Sequence, residues 1–132
     1  LNIDITLHNQ DWKVFLDSER ILNFDVTRGS WIGDYVDPNT FLDMFITSSG
    51  NNKTGWSNQQ YDELISLASM TAKQDKRYSV FRQAEEILMR EVPIIPIYTY
   101  SRKLLISPDL KGWYPNILDR HPYKYVYLES GK

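Results

Sequence analysis

Residues 24–45, FDVTRGSWIGDYVDPNTFLDMF, decide how the rest of the chain is read. The stretch opens on a short alternation in which Phe24 and Val26 share a side, and parity puts Arg28 on that side too. It closes on a short helix: Asp37-Pro38 has the order of an N-cap followed by a first helical residue. Phe41, Leu42 and Phe45 give that helix a buried side. Between them a turn gathers Arg28, Trp31, Asp34, Tyr35 and Asp37, with Gly29 and Gly33 allowing a sharp turn or a close approach. Aromatic rings, a cation and carboxylates on a loop between two rigid elements suit a small charged ligand. A surface loop with a buried Trp and solvated acids fits the same residues.

N-terminal to this stretch, Leu1, Ile3, Ile5 and Leu7 alternate with Asn2, Asp4 and Thr6, the pattern of a half-buried strand. His8 and Asn9 turn the chain, and Asn9 can cap a helix whose apolar stripe is Trp12, Phe15 and Leu16. With the strand at Phe24 this makes a βαβ-like unit, which usually means parallel strands with the helix across them. The chain opens directly on the apolar alternation, which we read as the interior of a larger protein.

C-terminal to it, residues 47–56 are polar and contain Asn52-Lys53-Thr54, a glycosylation sequon by pattern, to which we assign no role. Ser57 and Gln60 make a capping box for a helix with Tyr61, Leu64, Ile65 and Ala68 on one face. Asp75 starts another, with Val80, Phe81, Ala84, Ile87 and Leu88 inward. The spacing then predicts strands over 94–100, with Pro96 placing the first at an edge or ending it near that residue, over 104–106 and over 123–128. Pro108 and Gly112 bracket a turn.

Composition narrows the classes. A chain of 132 residues is about one domain long and can bury a core. The net charge of −2 offers no basic field, so nucleic acid is not an expected partner. With no cysteine there is neither a disulfide framework nor a thiolate metal site. No apolar run is long enough to span a bilayer as a helix, and no stretch reads as a signal peptide. His8 and His121 lie in turns without motif neighbours, so nucleophilic catalysis has no visible base. Asp34, Asp37 and Asp43 could supply a carboxylate pair for glycoside hydrolysis with Trp31 stacked on a sugar, but such acids are ordinary at helix starts.

Four runs taken in order, NIDITLHNQDWKVFLD, FDVTRGSWIGDYVDPNTFL, NNKTGWSNQQYDELI and AEEILMREVPIIPIY, resemble the C-terminal part of an oligopeptide-binding protein, the extracytoplasmic solute-binding protein of a peptide ABC transporter (bacterial family 5). The W-x-x-D-Y-x-[DE]-P-x-x-F-L core and the P-[IV]-x-P-[IVL]-Y strand carry the resemblance. It implies an α/β fold of the type II periplasmic-binding-protein kind, two lobes with the ligand enclosed between them, of which this chain is a C-terminal lobe fragment. Residues 1–98 would belong to the second ligand-clasping lobe, and residues 99–132 would cross the hinge and return to the first. The function implied is non-enzymatic: binding of oligopeptides outside the cytoplasm, in the periplasm or as a lipoprotein, for import. The partners implied are the peptide, the membrane permease subunits and the N-terminal lobe of the same protein; no cofactor and no metal are implied.

By the same resemblance, Asp34 pairs with the ligand's α-amino group, Trp31 lines a side-chain pocket beside Gly33, Arg28 meets a ligand carboxylate and Tyr100 contacts the peptide backbone. Some family members carry an Arg-His pair before the second strand where this sequence reads Glu19-Arg20, which leaves peptide length open. A binder of nickel, heme or a sugar is the alternative within the family. A carbohydrate-active enzyme using Asp34 and Asp43 is the alternative outside it.

Overall fold

The computed structural model describes residues 2–129. Its helices are α1 (Trp12–Arg20), α2 (Asn39–Leu42, continued by a 3₁₀ turn Asp43–Phe45), α3 (Gln59–Met70) and α4 (Gln74–Glu91). A two-stranded antiparallel sheet pairs β1 (Leu110–Lys111) with β2 (Tyr127–Leu128) in the register Leu110↔Leu128 and Lys111↔Tyr127.

The core follows from the period of α3 and α4. Tyr61, Ile65 and Ala68 lie one turn apart on α3 and are buried, as are Phe81, Ala84, Ile87 and Leu88 on α4. These faces close on one another as an antiparallel pair, and Leu42 and Phe45 fill the remaining side from α2 and its 3₁₀ turn. Leu64 and Val80, expected inside, sit partly buried at the edge of this cluster. Each large apolar side chain removed from water here contributes about 1.5–3 kcal/mol before entropy is counted. The Tyr61 hydroxyl is buried with its ring and donates to the Leu42 carbonyl at 2.7 Å, so it carries no unpaired polar atom into the core. Burial pushes its pKa upward, with the negative charge of Asp43 adding to the effect.

The caps fall close to the expected positions but on neighbouring residues. The Asn58 side chain, rather than Ser57, accepts from the Tyr61 amide at 2.9 Å and starts α3. Asp11, rather than Asn9, accepts from Lys13 and starts α1. Helix α1 forms, but its stripe is not covered: no residue of α1 is buried, and Trp12 and Phe15 instead stack on each other with centroids 5.5 Å apart. Phe41, expected inside, is 47% exposed.

Most of the expected strands do not form. Residues 2–8, 24–28, 94–100 and 104–106 have no ladder partner among the described residues, and Ile3, Ile5, Leu7, Ile95, Ile97 and Leu105 are exposed. Leu1 lies outside the described residues. The βαβ-like unit is therefore absent from this chain by itself. A strand is stable only when its amide and carbonyl groups find another strand, and alternation states the wish for a partner without supplying one. In the C-terminal part, the stretch 123–128 is a 3₁₀ turn (Tyr123–Tyr125) before β2, and the region read as a turn contains β1.

Gly112 makes that small sheet possible. Its φ is +76°, and a Cβ there would stand 2.0 Å from the Tyr125 carbonyl oxygen. Gly112→Ala is expected to open the β1–β2 pair, because both the backbone angle and the contact with backbone forbid the methyl. Hydrogen exchange checks this: the Glu129 amide, bonded to the Asp109 carbonyl at 2.8 Å, should lose protection while α3 and α4 keep theirs.

Candidate functional site

The loop before α2 is built around Thr40, 2% exposed. Its hydroxyl oxygen accepts from the Asp34 amide at 2.9 Å, and its carbonyl accepts from the Trp31 indole N–H at 2.8 Å. Gly33 passes so close that a Cβ would meet Thr40 Cγ2 at 3.0 Å and Phe41 Cζ at 3.2 Å. The close approach expected of a glycine is therefore real at Gly33. At Gly29 a Cβ would meet nothing within 4 Å.

The acids Asp34 and Asp37 of the loop and Asp43 just after α2 meet different fates. Asp37, expected as the N-cap, stands one residue before the cap position, which Pro38 occupies; its carboxylate accepts from the Asn39 amide at 2.9 Å and from both terminal guanidinium nitrogens of Arg77 on α4. Arg77 in turn donates from Nε to the Ala68 carbonyl at the end of α3 and lies over the Phe81 ring, 4.7 Å from its centroid. This fork-on-carboxylate geometry ties the loop to the core. Asp43 accepts from the Tyr35 hydroxyl and from Asn39 Nδ2, both at 2.9 Å. Burial raises the Tyr35 pKa, with Asp43 also contributing. The Asp34 side chain is exposed and has no hydrogen bond or ion pair among the described residues. Of the three, it is the one whose carboxylate has no partner at either oxygen among the described residues.

Hydrogen bonding from Arg77 holds the Asp37 carboxyl below the usual carboxylate range, outweighing its partial burial. A depressed folded-state value means the pair stabilises fully above the ordinary aspartate pKa of 3.8 and loses that contribution as pH falls through the lower folded value. The unfolding stability of wild type over Asp37→Asn should therefore shrink as pH is lowered from about 4. A difference that stays constant to pH 2 would show that the pair carries none of it.

Arg28 and Trp31 are exposed on the same loop as Asp34, with Trp31 36% exposed. Arg28 forms no ion pair among the described residues, so a structural salt bridge with a neighbouring Asp is not what holds it. Tyr100 stands apart: it is 76% exposed on the extended stretch after α4, and its ring neighbour is Tyr98, with centroids 6.1 Å apart. The structure thus gathers Trp31, Gly33 and Asp34 around Thr40, with Arg28 earlier on the same loop and Tyr100 outside that group. Among the described residues no group of three His, Asp or Glu could hold a metal ion. His121 packs on Trp113, with ring centroids 4.5 Å apart, and bonds Asp119 at 3.0 Å, which gives it a structural place. Thr40 and Arg77 were not singled out in the sequence. Thr40 occupies an unspecified position of the motif, and the partner of Arg77 is 40 residues away.

No family model matches the chain. It is 40% identical over 129 residues to the dipeptide-binding protein DppE of Bacillus subtilis, covering 98% of this chain and 23% of that one. It is 42% identical over 113 residues to the periplasmic murein peptide-binding protein MppA of Escherichia coli, covering 86% and 21%. The solved structure of MppA superposes with a TM-score of 0.82 at 36% identity, over 99% of this chain and 26% of that chain. The Haemophilus influenzae OppA complex with the peptide RPPGFSPFR gives 0.79 at 31% identity, over 96% and 25%. The chain thus spans about a quarter of the length of the relatives it matches. Their two-lobed fold is the architecture to which its helices and unpaired strands correspond. In sequence and in fold, this chain matches, over nearly the whole of its own length, a stretch about a quarter of the length of bacterial peptide-binding proteins.

Proposed function

We propose that a two-lobed protein containing this segment binds oligopeptides outside the cytoplasm and passes them to an ABC transporter for import. Within it, Asp34 takes the ligand's α-ammonium, Trp31 and Gly33 shape a side-chain pocket, Arg28 meets a ligand carboxylate and Tyr100 reaches the peptide backbone from the far side. The observation that carries this reading is the Asp34 carboxylate, without a partner among the described residues and held through its backbone amide near Trp31, while Asp37 and Asp43 are engaged. A binder that accepts many sequences must draw affinity from what all peptides share, the backbone and the charged termini. A fixed carboxylate selects the amino terminus through a charge-assisted hydrogen bond, and enclosure strengthens it. The names of the relatives, all binding proteins, support a binder rather than an enzyme.

The uncovered stripe of α1 and the unpaired extended segments support the division proposed for the whole. Residues 1–98 belong to one ligand-clasping lobe and 99–132 to the crossover, with the rest of the protein supplying the missing strands. Mass spectrometry of ligand co-purified with the two-lobed protein tests the function. Peptides are expected, and recovery of a sugar, a metal or heme in their place would overturn it. For Arg28, a short free-acid peptide and its C-terminal amide are compared in wild type and Arg28→Ala. The mutation should weaken the acid about tenfold or more, an effect of the size of one charge-assisted hydrogen bond, and leave the amide nearly unchanged. Equal loss for both ligands would remove the carboxylate role.

A further inference from the structure

We propose that Thr40 is the positioning residue of this site: its hydroxyl and its carbonyl together set Asp34 and Trp31 relative to one another. The proposal rests on the reading that Asp34 receives the ligand's ammonium. Thr40 touches no ligand itself, since it is 2% exposed beneath the loop. Helix α2 is only four residues long, so its last carbonyls lack the amide donors of a following turn, and the Thr40 carbonyl accepts instead from the Trp31 indole at 2.8 Å. The hydroxyl, three atoms away on the same residue, satisfies the Asp34 amide at 2.9 Å. The methyl packs under Gly33, where no Cβ would fit without a shift. One buried residue thus fixes the indole, the backbone of the carboxylate and the turn between them.

Thr40 is itself fixed. Its amide donates to the Asp37 carbonyl at 3.2 Å, and the Asp37 carboxylate is forked by Arg77 on α4. The order of support runs from the α3–α4 core through Arg77 and Asp37 to Thr40, and from there to the two groups that face the ligand. With its amide held, Asp34 has only its own side-chain torsions left to settle before its carboxylate meets an ammonium. Without the hydroxyl, the Asp34 amide loses its acceptor and the loop must search for the binding geometry at each encounter.

Thr40→Val keeps the shape and removes the acceptor, and Thr40→Ser keeps the acceptor and removes the methyl. Trialanine and N-acetyl-trialanine are titrated by calorimetry into the two-lobed protein as wild type, Thr40→Val, Thr40→Ser and Asp34→Ala. Thr40→Val is expected to weaken trialanine about tenfold, with Thr40→Ser recovering most of that loss and N-acetyl-trialanine showing no such dependence on the hydroxyl. Equal weakening of both ligands by Thr40→Val, or none of either while Asp34→Ala weakens trialanine more than N-acetyl-trialanine, overturns the role of Thr40 alone. Equal weakening of both ligands by Asp34→Ala overturns the underlying reading of Asp34. Hydrogen exchange in unliganded wild type is independent of any variant's folding: the Asp34 amide should be protected, and exchange at the rate of a free amide would overturn the proposal.

Discussion

Replacing Asp34 by Ala in the two-lobed protein is expected to weaken peptide binding by about 2–5 kcal/mol, because the ligand's ammonium would be enclosed without its counter-charge. The size of the effect comes from burying an unpaired ion rather than from the strength of one contact. The carboxylate is exposed and unpartnered among the described residues, so its removal costs the unliganded fold little. N-acetylating the peptide removes the same interaction from the other side. It should cost a similar amount against wild type and little more against Asp34→Ala, since two changes that delete one contact are not additive. Calorimetry on all four combinations decides. Additive losses would mean that the ammonium and Asp34 never meet, and a fall in thermal stability with unchanged discrimination would make Asp34 a loop residue only.

The second large effect is structural. Phe81→Ala should destabilise the protein by about 3–5 kcal/mol, the usual cost of emptying a buried aromatic site. Phe81 is 4% exposed within the core formed by α3, α4 and the end of α2. Its ring also seats the guanidinium of Arg77, which holds Asp37. The loss is therefore expected to reach the loop as well as the core: peptide affinity should fall together with stability, and the Asp34 amide should exchange faster. Urea unfolding with unchanged m-value gives the first quantity, and a change below about 1 kcal/mol would show that the core relaxes around the gap.

What could be read in the sequence was what neighbours in the chain decide. Tyr61, Ile65 and Ala68, and Phe81, Ala84, Ile87 and Leu88, keep helical spacing and are buried as that spacing requires. Caps moved by one or two residues, from Ser57 to Asn58 and from Asn9 to Asp11, because several short polar side chains stood near each helix start and packing chose among them. Strands were misjudged where their partners are not in the chain: alternation over 2–7 is a property of the segment, and a ladder is a property of two. At the site, Trp31, Gly33 and Asp34 were visible through the motif. Asp37 reads as the N-cap, but the helix starts one residue later with Pro38 in that place, and the bond of Asp37 to Arg77 has no local signature. Thr40 escaped because an ordinary threonine inside a helix start gives no sign that two neighbours will hang on it.

Asn52 sets a limit on where the protein can be made. Its Nδ2, the atom a glycan would take, donates to the carbonyls of Phe45, Ile46 and Trp56, while its Oδ1 receives the amide and hydroxyl of Thr54. The sequon is therefore sealed by its own loop once the chain has folded. In a eukaryotic secretory host, an oligosaccharyltransferase could reach Asn52 only before that loop closes, so the fraction of molecules carrying sugar would serve as a clock for how fast residues 45–56 fold during translocation.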